Sequence, residues 1–441
     1  FGLKKQPPIA PIEDTNARMD TYIARNSDWV NFETTVSTTS DQIAIAPGYL
    51  INQWKEKGRT YYHYKMDSKV LNFFAWLSAD YKIKRDRWKD VEIAVYYQEG
   101  HEYNVDNMIS SVKQSLDYYT KNFSPYQYKQ VRILEFPRFG SYAQAFPNTI
   151  PFSESIGFIA DVDNDDINYP FWVTAHEMAH QWWAHQVIGG NVEGCTVLSE
   201  VLAQYSSTMV MLKEFGKKIV QNFIDHEQDA YLEGRTKERM EEPPMLYVRP
   251  NQGYIHYGKG CVAMYSLQDY IGEKNLNQAI REFRNKYAYQ QPPFATSLNF
   301  YKYIKEATPD SLMYLTEDWF ERIVLYENKV NDFDYEKTSE NNYKVTLNLE
   351  TRKFQADSLG NETEVPVNDW IDVAVYATEY KEGEFIRDTL HFKKHKFTSP
   401  TTKLEFVVDK KPTKAGIDPM YKLIDRHRED NIKSKSVSNV L

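Results

Sequence analysis

Cysteine is nearly missing. Two thiols in 441 residues, Cys195 and Cys261, cannot build a disulfide framework, and two free thiols are a simpler reading than one bridge. An excess of positive charge is missing too: 53 Lys and Arg face 62 Asp and Glu, a net charge of −9, the wrong sign for tracking phosphates. Nucleic acid is therefore not an expected partner. No long apolar run exists; the candidate Phe73–Leu77 (FFAWL) falls far short of the roughly 18 residues of a membrane helix, so the chain as given reads as soluble. Glycine (18) and proline (19) are too scarce for a collagenous or low-complexity chain. A leader is lacking at Phe1, which reads as the start of a mature product or of an excised piece.

What is present is a folded chain with length for about two to four domains. From Trp29 to about Gln98, β-branched and aromatic residues alternate in stretches such as QIAIAPGYL and VEIAVYYQ, which predicts strands. Val105, Met108, Ile109, Val112, Leu116 and Tyr119 then recur at helical spacing between Asn104 and Asn122. VRILEF, SYAQAF and IGFIAD read as short strands, and helices dominate from about Tyr169 to Tyr326. Past Asn331 the period returns to two, with Val345, Leu347 and Leu349 as one example. The expected fold is α+β and multidomain: an amino-terminal β domain over 1–98, a mainly helical domain over 99–330 and a carboxy-terminal β-sandwich with a tail over 331–441. The Lys-rich stretch Arg426–Lys435 reads as a solvated, fraying end.

The chemistry concentrates in His176-Glu177-Met178-Ala179-His180, inside the run FWVTAHEMAHQWWAH that is read as one helix ending before Gly189-Gly190. Residues four apart on a helix lie about 40° apart and one turn along, so both imidazoles can meet one ion. Glu177, about 100° around, reaches a metal-held water without being a ligand. A chance H-E-x-x-H has a probability of about 1 to 2% in such a chain, and its bland reading is two helix histidines beside a surface Glu. A catalytic zinc wants a third protein ligand. Glu200 is the candidate, carried inward by the apolar stripe Val197, Leu198, Val201, Leu202 and Tyr205. Glu193 is weaker, and His185, about 180° from His176, reads as structural.

HEMAHQWW followed by LSEVLAQY resembles the gluzincin metallo-aminopeptidases of the aminopeptidase N type, whose pattern is H-E-x-x-H, eighteen residues, then Glu in L-N-E-G-F-A-x-Y. Here nineteen residues, 181 to 199, intervene, and the extra one is assigned to the IGGNVEGC loop. The resemblance implies a thermolysin-like peptidase domain behind a shortened β domain. It further implies one zinc on His176, His180 and Glu200, with Glu177 as general base. Tyr257 of Y-G-K-G falls on the family's oxyanion-stabilising tyrosine. In FSESIGFI, Glu154 falls on the residue that holds the substrate's free amine and Gly157 on a glycine of that strand. Peptides are the implied substrates, cut at their amino-terminal bond. An endopeptidase of thermolysin type and a zinc-containing peptide-binding domain of a transporter are the rivals. HQWWAHQVIGGNVEG and KPTKAGIDP are closest to a bacterial subset joined to ABC-type permeases, which implies a soluble periplasmic domain tethered to the inner membrane, with a cytoplasmic one as the alternative.

Overall fold

Aromatic and β-branched alternation near the amino terminus produces small antiparallel sheets. Arg59–Lys65 lies between Glu33–Thr39 and Tyr49–Glu56, with Thr60, Tyr62 and Tyr64 turned inward. Its hairpin closes through Lys57 (φ 50°) and Gly58 (φ 75°), two left-handed residues of the kind that match strand twist. The structure is a computed structural model that describes residues 8–162, 167–381 and 384–435. The chain divides into two compact units: Phe1–Phe223 with Met245–Thr316, and Ile224–Pro244 with Glu317–Leu441.

The first unit is built on a four-stranded sheet in the order Thr149–Ser153, Gln130–Phe136, Val91–Tyr97, Lys82–Trp88. The first three strands run parallel, and the last returns antiparallel through a hairpin. Gln130–Phe136 is buried at every position after the first, as a parallel strand covered on both faces should be. Helix α1 (Val105–Asn122) buries the whole predicted stripe. The expected boundary at residue 98 is corrected here, because Lys82–Tyr97 belongs to the four-stranded sheet of the first unit. Alternation identifies strands but not their partners, and Val91–Tyr97 pairs with a strand on the far side of α1.

Two further corrections lie in this unit. IGFIAD is turn rather than strand, and the sheet instead takes Thr149–Ser153. SYAQAF is reduced to an edge segment that runs antiparallel to that strand, with the Gln144 amide donating to Pro151 O (3.0 Å) and the Ser153 amide to Tyr142 O (3.0 Å). Helix α2 (Tyr169–Ala179) starts on the Asn168 side chain, which accepts the Phe171 amide, with Pro170 in the first turn. It stops at His180, short of the expected end. The chain turns there to bury Trp182 and Trp183, whose indole N–H groups donate to Ser124 and Ser206 at 2.9 Å. Helix α3 (Glu200–Lys237) follows and is broken at Gly216, where φ is 77°.

The second unit is antiparallel β throughout its sheets. Tyr343–Ala356 pairs with Ile323–Lys337, Glu362–Val365 and Thr401–Val408, and buries Val345, Leu347 and Leu349. Asp369–Lys381 pairs with Glu384–Phe397 and Lys414–Ile417, and the latter pairs with Ile432–Ser434. The β region thus begins at Ile323, not past Asn331. The tail is corrected as well: Arg426 pairs with Glu327 and Glu362, Arg428 with Asp225 and Asp229, and Ile432–Ser434 completes a sheet. Counting its charges showed a solvated run, whereas their acidic partners are distant in sequence. Cys195 and Cys261 are both buried free thiols.

Candidate active site

His176 and His180 stand one helical turn apart at the end of α2, with Nε2 atoms 3.1 Å from each other. Glu200, the first residue of α3, brings Oε2 to 3.3 Å from His176 Nε2 and 3.4 Å from His180 Nε2. Tetrahedral ligands about 2.1 Å from a zinc ion are themselves about 3.4 Å apart, so the three atoms fit a small divalent cation. The other ring nitrogens are engaged: His176 Nδ1 meets Gln204 Oε1 at 3.1 Å and His180 Nδ1 meets Trp183 O at 3.0 Å. Both partners are acceptors, so the ring protons sit on Nδ1 and the Nε2 lone pairs face the common point. Two neutral donors and one carboxylate are the chemistry of a catalytic zinc site.

Electrostatics reinforce this reading. Burial opposes charge on Glu200, yet the two imidazoles outweigh it and hold the carboxyl well below its usual range. Burial likewise opposes a charged His180, but Glu200 and Glu177 raise it to about 9. The group thus draws positive charge to its centre, which a bound cation supplies without protons. Glu177 is pushed upward by burial against the pull of the two histidines. Its Oε2 is buried without a hydrogen-bond partner, and the nearby Ala145 backbone favours its charged form only slightly. An unpaired buried carboxylate oxygen is costly, and its position beside the histidine pair is that of a base awaiting a proton.

Tyr257 lies in the π-helical segment Tyr254–Lys259, with its ring 5.8 Å from that of His176. Although 39% of the residue is exposed, its phenol end is desolvated and feels the Glu200 carboxylate; both effects raise its pKa and keep it a neutral O–H. Gly260 permits this approach, since a Cβ there would stand 2.8 Å from Val201 Cγ2, next to Glu200. The loop before α3 is fixed at Gly194, where φ is 77° and a Cβ would fall 2.1 Å from Leu246 O.

The other expected residues lie elsewhere. Glu193 pairs with Arg249 at 3.5 Å. His185 Nε2 donates to Ala145 O (3.0 Å), and burial lowers its pKa to about 4, so it is a neutral packing histidine. Glu154 is not among the metal-ligand group; its Oε1 accepts the Arg138 amide at 3.2 Å and its Oε2 is 4.0 Å from His101 Nδ1. At Gly157 a Cβ would meet Met108 and the Phe152 ring at 2.6 Å, so this glycine serves close packing. Sequence reading missed Gln204, whose signal was its place four residues after Glu200 on the same helix. It also missed Ala145 and Tyr22, whose hydroxyl is 2.5 Å from Ser199 Oγ; neither carries a local signal.

Residues 107–319 match the Peptidase family M1 domain. The segment is thus similar to peptidases of family M1. The chain is similar to leucyl aminopeptidase of Saccharolobus solfataricus, 22% identical over 306 residues that cover 65% of this chain and 37% of that protein. It is also similar to tricorn protease-interacting factor F2 of Thermoplasma volcanium, 24% identical over 222 residues (47% and 27%). Human endoplasmic reticulum aminopeptidase 2 is 22% identical over 216 residues (45% and 22%). The chain therefore spans little more than a third, or less, of these relatives' lengths. The crystal structure of Legionella pneumophila aminopeptidase A in complex with aspartic acid matches 90% of this chain and 44% of that one, with a TM-score of 0.60 at 15% identity. That likeness carries the fold alone.

Proposed function

We propose that the chain is a zinc-dependent aminopeptidase, with peptides as substrates and one zinc held by His176, His180 and Glu200. The observation that carries the proposal is the convergence of these three ligand atoms beside a buried, unpartnered Glu177 oxygen, inside an M1 domain. A zinc ion held by these three residues would supply a Lewis acid for the scissile carbonyl and lower the pKa of a water toward neutrality. Glu177 takes that proton and delivers it to the leaving amine; its raised affinity for protons suits both steps. Tyr257, kept as a neutral O–H by burial and by Glu200, donates to the oxygen that becomes negative. His176 and His180 are held in one tautomer by Gln204 and Trp183.

The test is zinc content measured together with a screen of aminoacyl anilides with free and with acetylated amines. Cleavage of the free-amine set alone, by protein with one zinc, is the expected outcome; cleavage of the acetylated set equally well sinks the exopeptidase reading. Attachment to an ABC-type permease and an extracytoplasmic place in a bacterium are proposals that rest on sequence wording. No helix among the described residues is long and apolar enough to cross a membrane. Protease accessibility of the native protein in intact spheroplasts tests its side of the membrane.

A further inference from the structure

A cleft of about 660 Å³ runs along the edge segment Tyr142–Phe146. Its walls are aromatic, among them Phe73, Trp76, Phe136, Phe139, Tyr142 and Phe146. Three of these stand open at the mouth: Trp76 is 53% exposed, Phe139 79% and Tyr142 49%. Exposed aromatics scattered singly are ordinary, but three around one concavity form a surface built to be covered.

Two carboxylates also face the cleft, Glu135 and Glu154. Glu135 is buried and occupied: the Gln98 amide donates to Oε2 at 2.6 Å and His101 Nδ1 is 2.5 Å from Oε1. Glu154 is open. Its Oε1 accepts the Arg138 amide, whereas Oε2 has His101 Nδ1 at 4.0 Å, beyond hydrogen-bond distance. The Arg138 guanidinium comes no nearer to this carboxylate than 3.9 Å and is mostly in solvent, so it is a weak counter-charge.

Position ties this cleft to the chemistry. Side chains alternate along an extended segment, and Tyr142, Gln144 and Phe146 line the cleft. The backbone of Ala145, between two of them, lies close enough to Glu177 to favour its charged form. One short edge segment therefore borders the proposed base with its backbone and the cleft with its side chains.

We propose that the cleft receives a substrate side chain and selects lysine or arginine, with the apolar stem between the aromatic walls and the cationic tip at Glu154 Oε2. The inference rests on the metallopeptidase reading above. Long cationic side chains suit such a site because they bury their methylenes against aromatic faces while the tip forms a charge-assisted hydrogen bond.

The test compares lysine, arginine and norleucine 4-nitroanilides with the zinc-loaded enzyme, since norleucine keeps the stem and lacks the tip. Lysine is expected to exceed norleucine in kcat/KM by about 10- to 100-fold, the worth of one charge-assisted hydrogen bond. Glu154→Gln should bring the ratio close to one, with zinc content confirming that the variant folds. Arg138→Ala, which removes the competing cation, should raise the ratio. Norleucine cleaved as well as lysine by the wild type, or a ratio that Glu154→Gln leaves unchanged, overturns the pocket while the metallopeptidase reading stands. If no anilide is cleaved, that reading has failed instead, and calorimetric titration with lysine amide then judges the cleft: binding lost in Glu154→Gln supports it, and no binding to wild type overturns it.

Discussion

Two groups among the described residues each gather one or two histidines and glutamates within ligand reach: His176, His180 and Glu200, and His101, Glu135 and Glu154. Their difference lies in where the protons go. In the first, both Nδ1 atoms are spent on outside acceptors, so both Nε2 lone pairs and a carboxylate oxygen point at one another across 3.1 to 3.4 Å. With both rings neutral nothing within the group relieves that crowding of acceptors; a proton taken up by His180 or a bound cation does. In the second, His101 turns its Nδ1 onto Glu135 at 2.5 Å and leaves Glu154 at 4.0 Å. That pair satisfies itself. Proximity of ligand residues is therefore a weaker sign of a metal than the absence of an internal donor.

The sharpest way to break this contrast is to remove a member from each group. Glu200→Ala is expected to lose stoichiometric zinc and all turnover, whereas His101→Ala and Glu193→Ala should each keep one zinc; metal analysis of the purified variants decides it. Glu177→Gln comes next. It should retain zinc while kcat falls by about 10² to 10⁴, because shape persists and the proton acceptor does not. Near wild-type turnover in that variant would end the proposed mechanism. Tyr257→Phe should cost about 10² to 10³ in kcat with a smaller change in KM, and a loss confined to KM would make the phenol a binding group. The mildest effect is expected from Gln204→Ala, which frees the His176 ring and should weaken zinc by about 10- to 100-fold in a chelator competition.

The metal group was legible because its geometry is local. Four residues along a helix set His176 and His180 side by side, and an apolar stripe turned Glu200 inward with them. The helix end was less so: His180 closes α2 because two downstream indoles are drawn into the core, which no periodicity shows. Strand pairing was illegible for a related reason. Lys82–Tyr97 reads as β in isolation, yet its sheet is fixed by a parallel partner beyond α1. Glu154 shows the limit of a motif. One glutamate and one glycine matched the family phrase, while the segment bordering Glu177 is Tyr142–Phe146, which comes near it through the backbone of Ala145. A main-chain contact leaves no mark on residue type. The tail failed because its counter-charges, among them Asp225 and Glu327, lie far away in sequence.

Tyr257 reaches Glu200 from six residues wound as π-helix, immediately ahead of Gly260. A π-turn holds more residues than the α-turn it replaces. Shortening Tyr254–Lys259 by one would return the backbone to ordinary pitch and rotate everything on one side of the cut by about 100° relative to the other. The phenol or the glycine would then leave its place, and a side chain would take the space against Val201 that only a hydrogen now fills. Tyr257 and the helix that carries Glu200 are kept in phase by a surplus of chain, so this stretch should tolerate substitutions on its outer face far better than the loss of any single residue.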